Sequence, residues 1–325
     1  MAMDGFAYAT PCSIEEALEV LNDECRPMAG GIDLLGMMKE ELIAPGKLVS
    51  LQQIPGLDQV REEQGKLHIG ALTPMSRLMA HPAIRQRQEL ACLHQALLET
   101  ASPQIRHRAT IGGNLLQRPR CWYFRHRLTY CLRKGGRQCF AFRGENRHHA
   151  ILGGGPCYIV HPSDPATALI AVDASVTIAG RGGTRSLSLA DLYLLPRQDA
   201  HREAALAPDE LLTEIIVPTP EVGSRGVYIK VPEHGARDFA LVSVAAQVQL
   251  SEGTVRQVRV VLGGVAPAPW RSHGVEEALQ GHPLSDQAIE QAAQAATAGA
   301  RPLAQNAYKV SLAQNLVRQA LQGVR

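Results

Sequence analysis

The sequence predicts an α+β protein with a larger N-terminal region, residues 1–223, and a smaller α+β domain, residues 224–325. Helix-type and strand-type patterns alternate through the first 220 residues. A cluster of chain-breaking residues at Pro218, Pro220 and Gly223 follows. Three strand-like runs and then two helix-like runs come after it. A chain of 325 residues is long enough for two or three domains with their own cores.

The N-terminal region begins with a capping box, Ser13 to Glu16, which predicts a short helix. The next segments predict a strand, a glycine turn and a helix start. After them come another strand, three helices and a final strand. In order, these segments are 26–35 (strand, turn and helix start), 66–72 (strand), 74–79, 89–100 and 164–171 (helices) and 175–179 (strand).

The C-terminal region predicts three strands at 227–231, 240–250 and 255–263, followed by helices at 285–300 and 305–321. The last two strands are joined at Ser251-Glu252-Gly253, which is typical of a tight hairpin turn. No internal repeat is evident. The pattern therefore indicates a small sheet covered by helices.

Composition and charge exclude several classes of protein. Hydrophobic residues make up 45% and charged residues 20%, and the formal net charge is +2, which is ordinary for a globular chain. No apolar run reaches the roughly 18 residues that span a bilayer. The first ten residues lack a basic and then apolar signal pattern, so we expect a cytoplasmic protein. In a reducing compartment the seven cysteines are core thiols or metal ligands rather than a disulfide framework.

Two segments place paired glycines where a strand leads into a turn. They are Met28-Ala29-Gly30-Gly31-Ile32-Asp33-Leu34 and Ala109-Thr110-Ile111-Gly112-Gly113-Asn114-Leu115. Paired glycines permit positive φ and remove Cβ, so consecutive backbone N–H groups can converge on an anion. A helix start directly afterwards adds positive potential. Two such loops facing one another are suited to a pyrophosphate, although neither has the G-x-G-x-x-G pattern and each alone is equally a plain turn.

The order of several motifs along the chain is more specific than any one of them. The two glycine loops, Gln104-Ile105-Arg106, His161-Pro162-Ser163-Asp164, Lys230 and Leu262-Gly263-Gly264-Val265 occur in one order. That order resembles the FAD-binding (medium) subunit of the xanthine oxidase and carbon monoxide dehydrogenase family of molybdenum hydroxylases. The resemblance covers nearly the whole chain. It implies a two-part FAD-binding domain of the PCMH type, followed by a small C-terminal domain.

The resemblance also implies which residues bind FAD. The two loops correspond to the segments that hold the pyrophosphate, Asp164 to the residue that bonds ribityl or ribose hydroxyls, and Lys230 to a lysine near the flavin ring. The implied cofactor residues are Pro27, Met28, Ala29, Gly30, Gly31, Ile32, Asp33, Leu34, Ala101, Gln104, Ile105, Thr110, Gly112, Gly113, Asn114, Ser163, Asp164 and Lys230.

The sequence departs from the family at two places. Ile32 stands where the family usually has threonine or serine, so a hydroxyl contact to phosphate is lost. Residues 231–237 also differ from the usual basic run. Two simpler interpretations stay open: Asp164 caps the helix that follows Pro165, and Lys230 is a solvated surface lysine.

The insert, residues 118–157, is the part of the chain with an unusual composition. Cys121, Cys131, Cys139 and Cys157 are separated by nine, seven and seventeen residues. Residues 118–149 hold nine of the 33 Lys and Arg residues, six of the fourteen aromatics and one acid, Glu145. The other three cysteines, Cys12, Cys25 and Cys92, stand singly and are expected to be core thiols.

Three interpretations of the insert are open. Structural zinc usually takes closely paired ligands, C-x₂₋₄-C, and none of the four cysteines is so paired. A four-cysteine iron–sulfur cluster tolerates wider spacing, and nearby arginines would offset its negative charge. Basic residues interleaved with aromatics also occur in single-strand nucleic-acid binders. His126, His148 and His149 are alternative ligands, although we expect them to be exposed.

The insert resembles those of the aldehyde oxidoreductase and 4-hydroxybenzoyl-CoA reductase flavin subunits, and its flanks are closer to the aldehyde oxidoreductase type. This implies a [4Fe–4S] cluster on Cys121, Cys131, Cys139 and Cys157. It also implies an FAD- and [4Fe–4S]-containing electron-transfer subunit that passes electrons from a [2Fe–2S] small subunit to an external acceptor. A molybdopterin-containing large subunit would oxidise the substrate, and this chain would supply no catalytic side chain.

Two other functions are weighed against this one: a stand-alone flavin reductase or oxidoreductase, and a zinc-stabilised basic module that binds nucleic acid. We expect neither a nucleic-acid partner nor a membrane span. Export of the assembled complex on a partner's signal is compatible with the sequence.

Overall fold

The computed structural model describes residues 5–235 and 238–325. The expectation for residues 1–10 therefore falls partly outside the described residues, as does the departure at 231–237. The strands are Ala7–Ala9 (β1), Cys25–Met28 (β2), Lys47–Ser50 (β3), Val60–Glu63 (β4), Lys66–Gly70 (β5), Ser175–Gly180 (β6), Gly183–Ser188 (β7), Leu211–Pro218 (β8), Ser224–Pro232 (β9), Ala240–Ser251 (β10), Thr254–Gly263 (β11) and Trp270–Arg271 (β12). None of the helices in these two ranges is long and apolar enough to cross a bilayer.

The helices follow the strands closely along the chain. They are Ile14–Val20 (α1), Ile32–Lys39 (α2), Met75–Ala80 (α3), Pro82–Arg85 (α4), Ala91–Glu99 (α5), Pro103–Arg108 (α6), Ile111–Leu115 (α7), Trp122–Arg125 (α8), Asp164–Ala171 (α9), His273–Leu279 (α10), Asp286–Ala295 (α11) and Tyr308–Gly323 (α12). Short 3₁₀ turns lie at Gln88–Leu90, Leu132–Lys134, Phe140–Phe142 and Leu189–Leu192.

The N-terminal region contains two sheets, as expected for a two-part domain. A parallel three-stranded sheet has the order β1-β3-β2 and packs on α1. The Ser13 hydroxyl caps α1 by accepting from the Glu16 N–H, at 3.1 Å, as the capping box predicts. A five-stranded antiparallel sheet has the order β4-β5-β8-β6-β7. The mixed helix and strand content confirms the α+β class.

Strand β8 was missed by the sequence analysis, although it is central in the five-stranded sheet. Its core-facing residues alternate along most of its length, with Thr213, Ile215 and Val217 on the buried face. That period-2 pattern was a usable signal. The strand also joins the two halves of the first region, because it pairs with β5 on one side and β6 on the other.

The C-terminal sheet has the order β12-β11-β10-β9 and is covered by α10, α11 and α12. The β10–β11 hairpin closes with Ser251 opposite Thr254, and the two residues between them, Glu252 and Gly253, both have positive φ. This geometry is that of the tight hairpin turns with two positive-φ residues. It confirms the hairpin expected from the sequence. The domain boundary at 223/224 stays a prediction.

The insert has little regular structure, only α8 and two 3₁₀ turns. It is held from both sides. On one side Phe124 and Cys131 pack against Met37 of α2. On the other side the Asn146 N–H donates to the Gln305 side chain at 2.9 Å, which ties the insert to the C-terminal domain. The insert therefore lies between the first glycine loop and the C-terminal domain.

Candidate functional site

A cavity of about 510 Å³ is lined by both glycine loops. This volume falls within the range typical of ligand sites. The cavity brings together most of the residues that the resemblance implied: Pro27, Ala29, Gly30, Gly31, Ile32, Asp33, Leu34, Ala101, Ile105, Thr110, Gly112, Gly113, Asn114, Asp164 and Lys230. Met28 and Gln104 are not among its lining residues, and Ser163 lines a smaller cavity beside it.

The two loops meet at Gly30. A Cβ at this position would lie 2.1 Å from the carbonyl oxygen of Arg108, so only glycine allows the loops to approach so closely. The Arg108 side chain also donates from Nε to the Gly30 carbonyl, at 3.2 Å. The next residue, Gly31, has φ +78° and stands directly before α2. A side chain there is strained, because L-residues rarely adopt this conformation.

The start of α2 supplies an anion-binding element in the cavity wall. The first helical residues, Ile32, Asp33 and Leu34, have no earlier turn to accept their N–H groups, and Gly31 contributes no side-chain cap. The first N–H of the helix to bond its own backbone is that of Leu35, to the Gly31 carbonyl at 3.0 Å. These N–H groups and the helix dipole favour a phosphate.

The second loop differs from the expectation of two facing sets of free N–H groups. The four N–H groups of residues 111–114 all donate within the protein. Their acceptors are the carbonyls of Thr73 and Ala71, the Thr110 hydroxyl and the Thr110 carbonyl, at 2.9, 2.8, 3.2 and 2.9 Å. The expectation was wrong for this loop, because α7 is short and its first two N–H groups donate to carbonyls of the segment that follows β5. Its contribution to the cavity is shape and side chains.

Close packing explains the glycine at 112. A Cβ there would lie 2.8 Å from both the Cβ and the carbonyl oxygen of Ala71. A Cβ at Gly113 would meet only the Thr110 hydroxyl, at 3.0 Å. The side chain of Asn114 accepts a hydrogen bond from the Ser163 hydroxyl at 2.5 Å. These contacts fix the wall of the cavity opposite α2.

Asp164 and Lys230 form a buried ion pair at the cavity wall. The Lys230 ammonium donates to Asp164 Oδ2 at 2.8 Å and to the Glu99 carbonyl at 2.9 Å. Tyr228 donates its hydroxyl to Asp164 Oδ1 at 2.7 Å. Burial raises the pKa of Asp164, and the charge of Lys230 opposes that effect.

Both simpler interpretations of this pair are wrong. Ser163, not Asp164, caps α9, since its hydroxyl accepts from the Ala166 N–H at 3.1 Å. The Lys230 side chain is only 1% exposed, so it is not a solvated surface lysine.

The carboxylate of Asp33 faces the insert. Arg120 and Arg125 each place a guanidinium nitrogen 2.8 Å from its Oδ1, and the Arg118 N–H donates to its Oδ2 at 2.8 Å. Both oxygens are therefore engaged by the protein. Asp33 lines the cavity, but its acidic group serves to join the first glycine loop to the insert.

The four insert cysteines interact with one another. The Cys139 thiol is hydrogen-bonded to Cys157, which raises the pKa of Cys139 and lowers that of Cys157 despite burial. The pKa of Cys121 is raised to about 11, mainly by burial and to a smaller extent by the neighbouring Cys157 and Cys131. No three His, Cys, Asp or Glu side chains in residues 5–235 and 238–325 are arranged to hold a single metal ion.

A buried arginine lies beside these thiols. The Arg133 side chain is 1% exposed and its Nη1 lies 2.8 Å from Glu203. Burial lowers the pKa of Arg133, but the charges of Glu203 and Cys157 outweigh burial and raise it overall. A guanidinium therefore lies beside Cys157, where it would stabilise negative charge on this thiol or on a group bound to it.

Two expectations about the burial of other histidines and cysteines were wrong. His149 is buried, with its Nε2 3.2 Å from the Cys121 sulfur, and burial lowers its pKa to about 4. Cys12, expected in the core, is exposed at the start of α1, whereas Cys25 and Cys92 are buried as expected. Neither outcome has a local sequence signal, because burial here depends on which distant segment packs over the residue.

Sequence reasoning missed several cavity residues, among them Arg120, Phe239 and the pair Leu211-Leu212. The leucines belong to the overlooked strand β8. Arg120 stacks over Phe239 at 5.1 Å from the ring centroid, a contact between the insert and the C-terminal domain that no short-range pattern reveals.

These features define a two-domain protein with a large cavity lined by two glycine loops, beside an insert that carries four cysteines. The family described as the FAD binding domain in molybdopterin dehydrogenase matches residues 4–220. The family described as the CO dehydrogenase flavoprotein C-terminal domain matches residues 227–324. The chain belongs to the family of FAD-binding medium subunits of the xanthine oxidase/carbon monoxide dehydrogenase type, and it is an oxidoreductase subunit.

Individual relatives agree with this assignment. The chain is 41% identical over 306 residues to the aldehyde oxidoreductase FAD-binding subunit PaoB of Escherichia coli (strain K12), covering 92% of this chain and 91% of that one. It is 29% identical to the carbon monoxide dehydrogenase medium chain of Hydrogenophaga pseudoflava, covering 97% and 96%. A structure of carbon monoxide dehydrogenase from Hydrogenophaga pseudoflava aligns with a TM-score of 0.79 and 28% identity, covering 100% and 98%.

Proposed function

We propose that this chain is the FAD- and [4Fe–4S]-containing electron-transfer subunit of a heterotrimeric, aldehyde oxidoreductase-like molybdenum hydroxylase. It would pass electrons from a [2Fe–2S] small subunit to an external acceptor, while a molybdopterin-containing large subunit oxidises the substrate. Relatives named as medium chains and FAD-binding subunits support this arrangement. Because of the family assignment, we retain neither the stand-alone reductase nor the nucleic-acid module.

The observation that carries the proposal is the direct contact between the large cavity and the cysteine insert. Asp33 stands in the cavity wall and binds Arg120 and Arg125 of the insert. Cys121 follows Arg120 in the chain and interacts with Cys131 and Cys157. Two candidate redox sites are thus joined by one set of ion pairs.

The two loops and the start of α2 suit FAD, and the insert supplies four cysteines for the proposed cluster. A Cβ at Gly30 would fill the contact between the loops, and the start of α2 offers backbone donors to a pyrophosphate. Four thiols with a buried arginine beside them suit an iron–sulfur cluster, because cysteine thiolates are its usual ligands and positive charge offsets its own. When bound, FAD stores two electrons and a [4Fe–4S] cluster relays single electrons.

The protein's own groups orient and shield these sites. Asp164 and Lys230 present a fixed buried ion pair to the cavity, and Asp164 is the candidate partner for ribityl or ribose hydroxyls. Lys230 stays the candidate for the flavin ring. Apolar residues of α2 and β8, such as Met37 and Leu212, exclude water from the cavity walls. A cytoplasmic location also stays a prediction; all seven cysteines are free thiols in the structure.

The test is the cofactor content of the purified complex and of cysteine variants. We expect one FAD released by acid precipitation and about four irons in this chain. Serine at Cys121, Cys131, Cys139 or Cys157 should remove those irons and leave most of the FAD. Serine at the exposed Cys12 is the matched control and should remove none. Stoichiometric zinc without iron, or unchanged iron in all four variants, would refute the cluster.

A further inference from the structure

Arg120 connects the large cavity to the part of the insert that carries Cys121. Its side chain lines the large cavity and also a smaller one of about 190 Å³ whose wall contains Cys121, Trp122 and His149. It directly precedes Cys121 in the chain. Among the described residues of the insert, Arg120 alone lines both cavities. It also forms an ion pair with the first glycine loop.

Three contacts fix the Arg120 guanidinium in one orientation. Its Nη1 lies 2.8 Å from Asp33 Oδ1, and its Nη2 donates to Gln117 Oε1 at 3.0 Å. Its flat face lies over the Phe239 ring, 5.1 Å from the centroid. The three partners come from the first glycine loop, the base of the insert and the C-terminal domain. A planar guanidinium makes all three contacts at once, whereas a lysine ammonium keeps the charge and can pair with Asp33 but lacks the flat stacking surface.

The charge of Arg120 is not fully balanced by its partners. Arg120 and Arg125 share the single carboxylate of Asp33, which leaves one positive charge in excess. Two other acidic groups line both cavities. Of these, Asp164 is paired with Lys230, and Asp238 is 39% exposed, so solvent screens its charge. Glu40 also attracts Arg120, but it is exposed and its effect is smaller than that of Asp33.

We propose that Arg120 is a positioning residue that couples the two redox sites, its fixed positive charge stabilising the reduced, more negative state of both. The inference rests on the proposed function, since it requires FAD in the large cavity and a cluster on the four cysteines. Its physical basis is that adding an electron adds negative charge, and a nearby cation in a partly water-excluded site lowers the free energy of that state.

The experiment uses the intact complex with Arg120→Gln, Arg120→Lys and, as a matched control, Arg143→Gln. Arg143 is an exposed arginine of the same insert, so the control removes the same charge away from the cavity. FAD, iron and the midpoint potentials of flavin and cluster are measured by spectroelectrochemistry. We expect Arg120→Gln to lower the midpoint potential of the cluster by ~59 mV. For a one-electron couple this shift corresponds to a tenfold smaller equilibrium constant for reduction. The flavin potential should fall as well.

The outcomes distinguish a failure of the proposed function from a failure of the role assigned to Arg120. A parent complex without FAD or iron refutes the proposed function before Arg120 is tested. Potentials in Arg120→Gln that match those of Arg143→Gln, with both cofactors present, overturn the role of Arg120. If Arg120→Gln loses its cofactors, Arg120→Lys decides. Recovery of the cofactors and of near-parental potentials by lysine supports the charge-based role, and failure to recover them overturns it.

Discussion

The ammonium of Lys230 and the carboxylate of Asp164 lie 2.8 Å apart with 1% and 7% of their side chains exposed. Lys230 belongs to strand β9 in the C-terminal matched region, and Asp164 belongs to helix α9 in the N-terminal one. The pair therefore joins the two regions at the cavity wall. A buried pair of this kind is costly to break on one side, because the remaining charge has no water to solvate it.

Replacing Lys230 with methionine should therefore destabilise the protein by about 3 kcal/mol or more, since the Asp164 carboxylate is left unpaired. The double variant Asp164→Asn with Lys230→Met should regain part of that loss, because it removes the unpaired charge. Thermal unfolding of the three proteins and their FAD content measure both effects. A double variant no more stable than Lys230→Met would contradict this explanation.

Alanine at Gly30 should strongly reduce FAD content, because its Cβ would lie 2.1 Å from the Arg108 carbonyl oxygen and force the two loops apart. Alanine at Gly36 is the matched control. Gly36 lies in α2, six residues after Gly30, and a Cβ there meets nothing within 4 Å. Bound flavin per chain is the measurement, and equal flavin in the two variants would show that the loop contact is dispensable.

Asparagine at Asp33 should loosen the insert, since it removes the charge that holds Arg120 and Arg125. Faster cleavage by trypsin at the arginines of residues 118–147 is the expected result. Gln at Glu41 is the control, because Glu41 pairs with Arg127 on the exposed surface, where ion pairs contribute little. Equal cleavage rates for the two variants would mean that Asp33 does not anchor the insert.

The stability of the protein should fall between pH 6.5 and 4 in part through His161. Burial lowers the pKa of His161 to about 4, although a hydrogen bond to the Leu115 carbonyl opposes this. The unfolded chain therefore binds a proton near pH 6.5 that the folded chain takes up only near pH 4. This contribution is fully present above pH 6.5 and decreases by at most about 1.4 kcal/mol per pH unit as the pH falls.

Glutamine at His161 tests this contribution, because it keeps a donor for Leu115 and an acceptor for the Ser163 N–H but does not titrate. Melting temperatures of the parent and of His161→Gln at pH 7 and pH 5 give the comparison. The parent should lose more stability over this interval than the variant. Parallel losses would assign the acid sensitivity to other groups.

The amino-acid sequence alone determined the local features of this protein. The capping box at Ser13, the strands and hairpin of the C-terminal sheet, and the helix Asp164–Ala171 were predicted from short-range patterns. Such patterns are reliable because hydrogen bonding within a helix or hairpin involves near neighbours in the chain. The order of the two glycine loops and the segment His161-Pro162-Ser163-Asp164 was likewise sufficient to indicate the family.

The tertiary structure decided which side chains those elements bring together. Asp33 engages the insert, the N–H groups of residues 111–114 are used internally, and Lys230 is buried rather than solvated. Arg120 reaches Phe239 across 119 positions of sequence separation. Such partnerships depend on how distant segments pack, and burial then sets the charge and hydrogen-bonding demands of each group. A short sequence window contains neither the partner nor the burial, so only the folded chain reveals them.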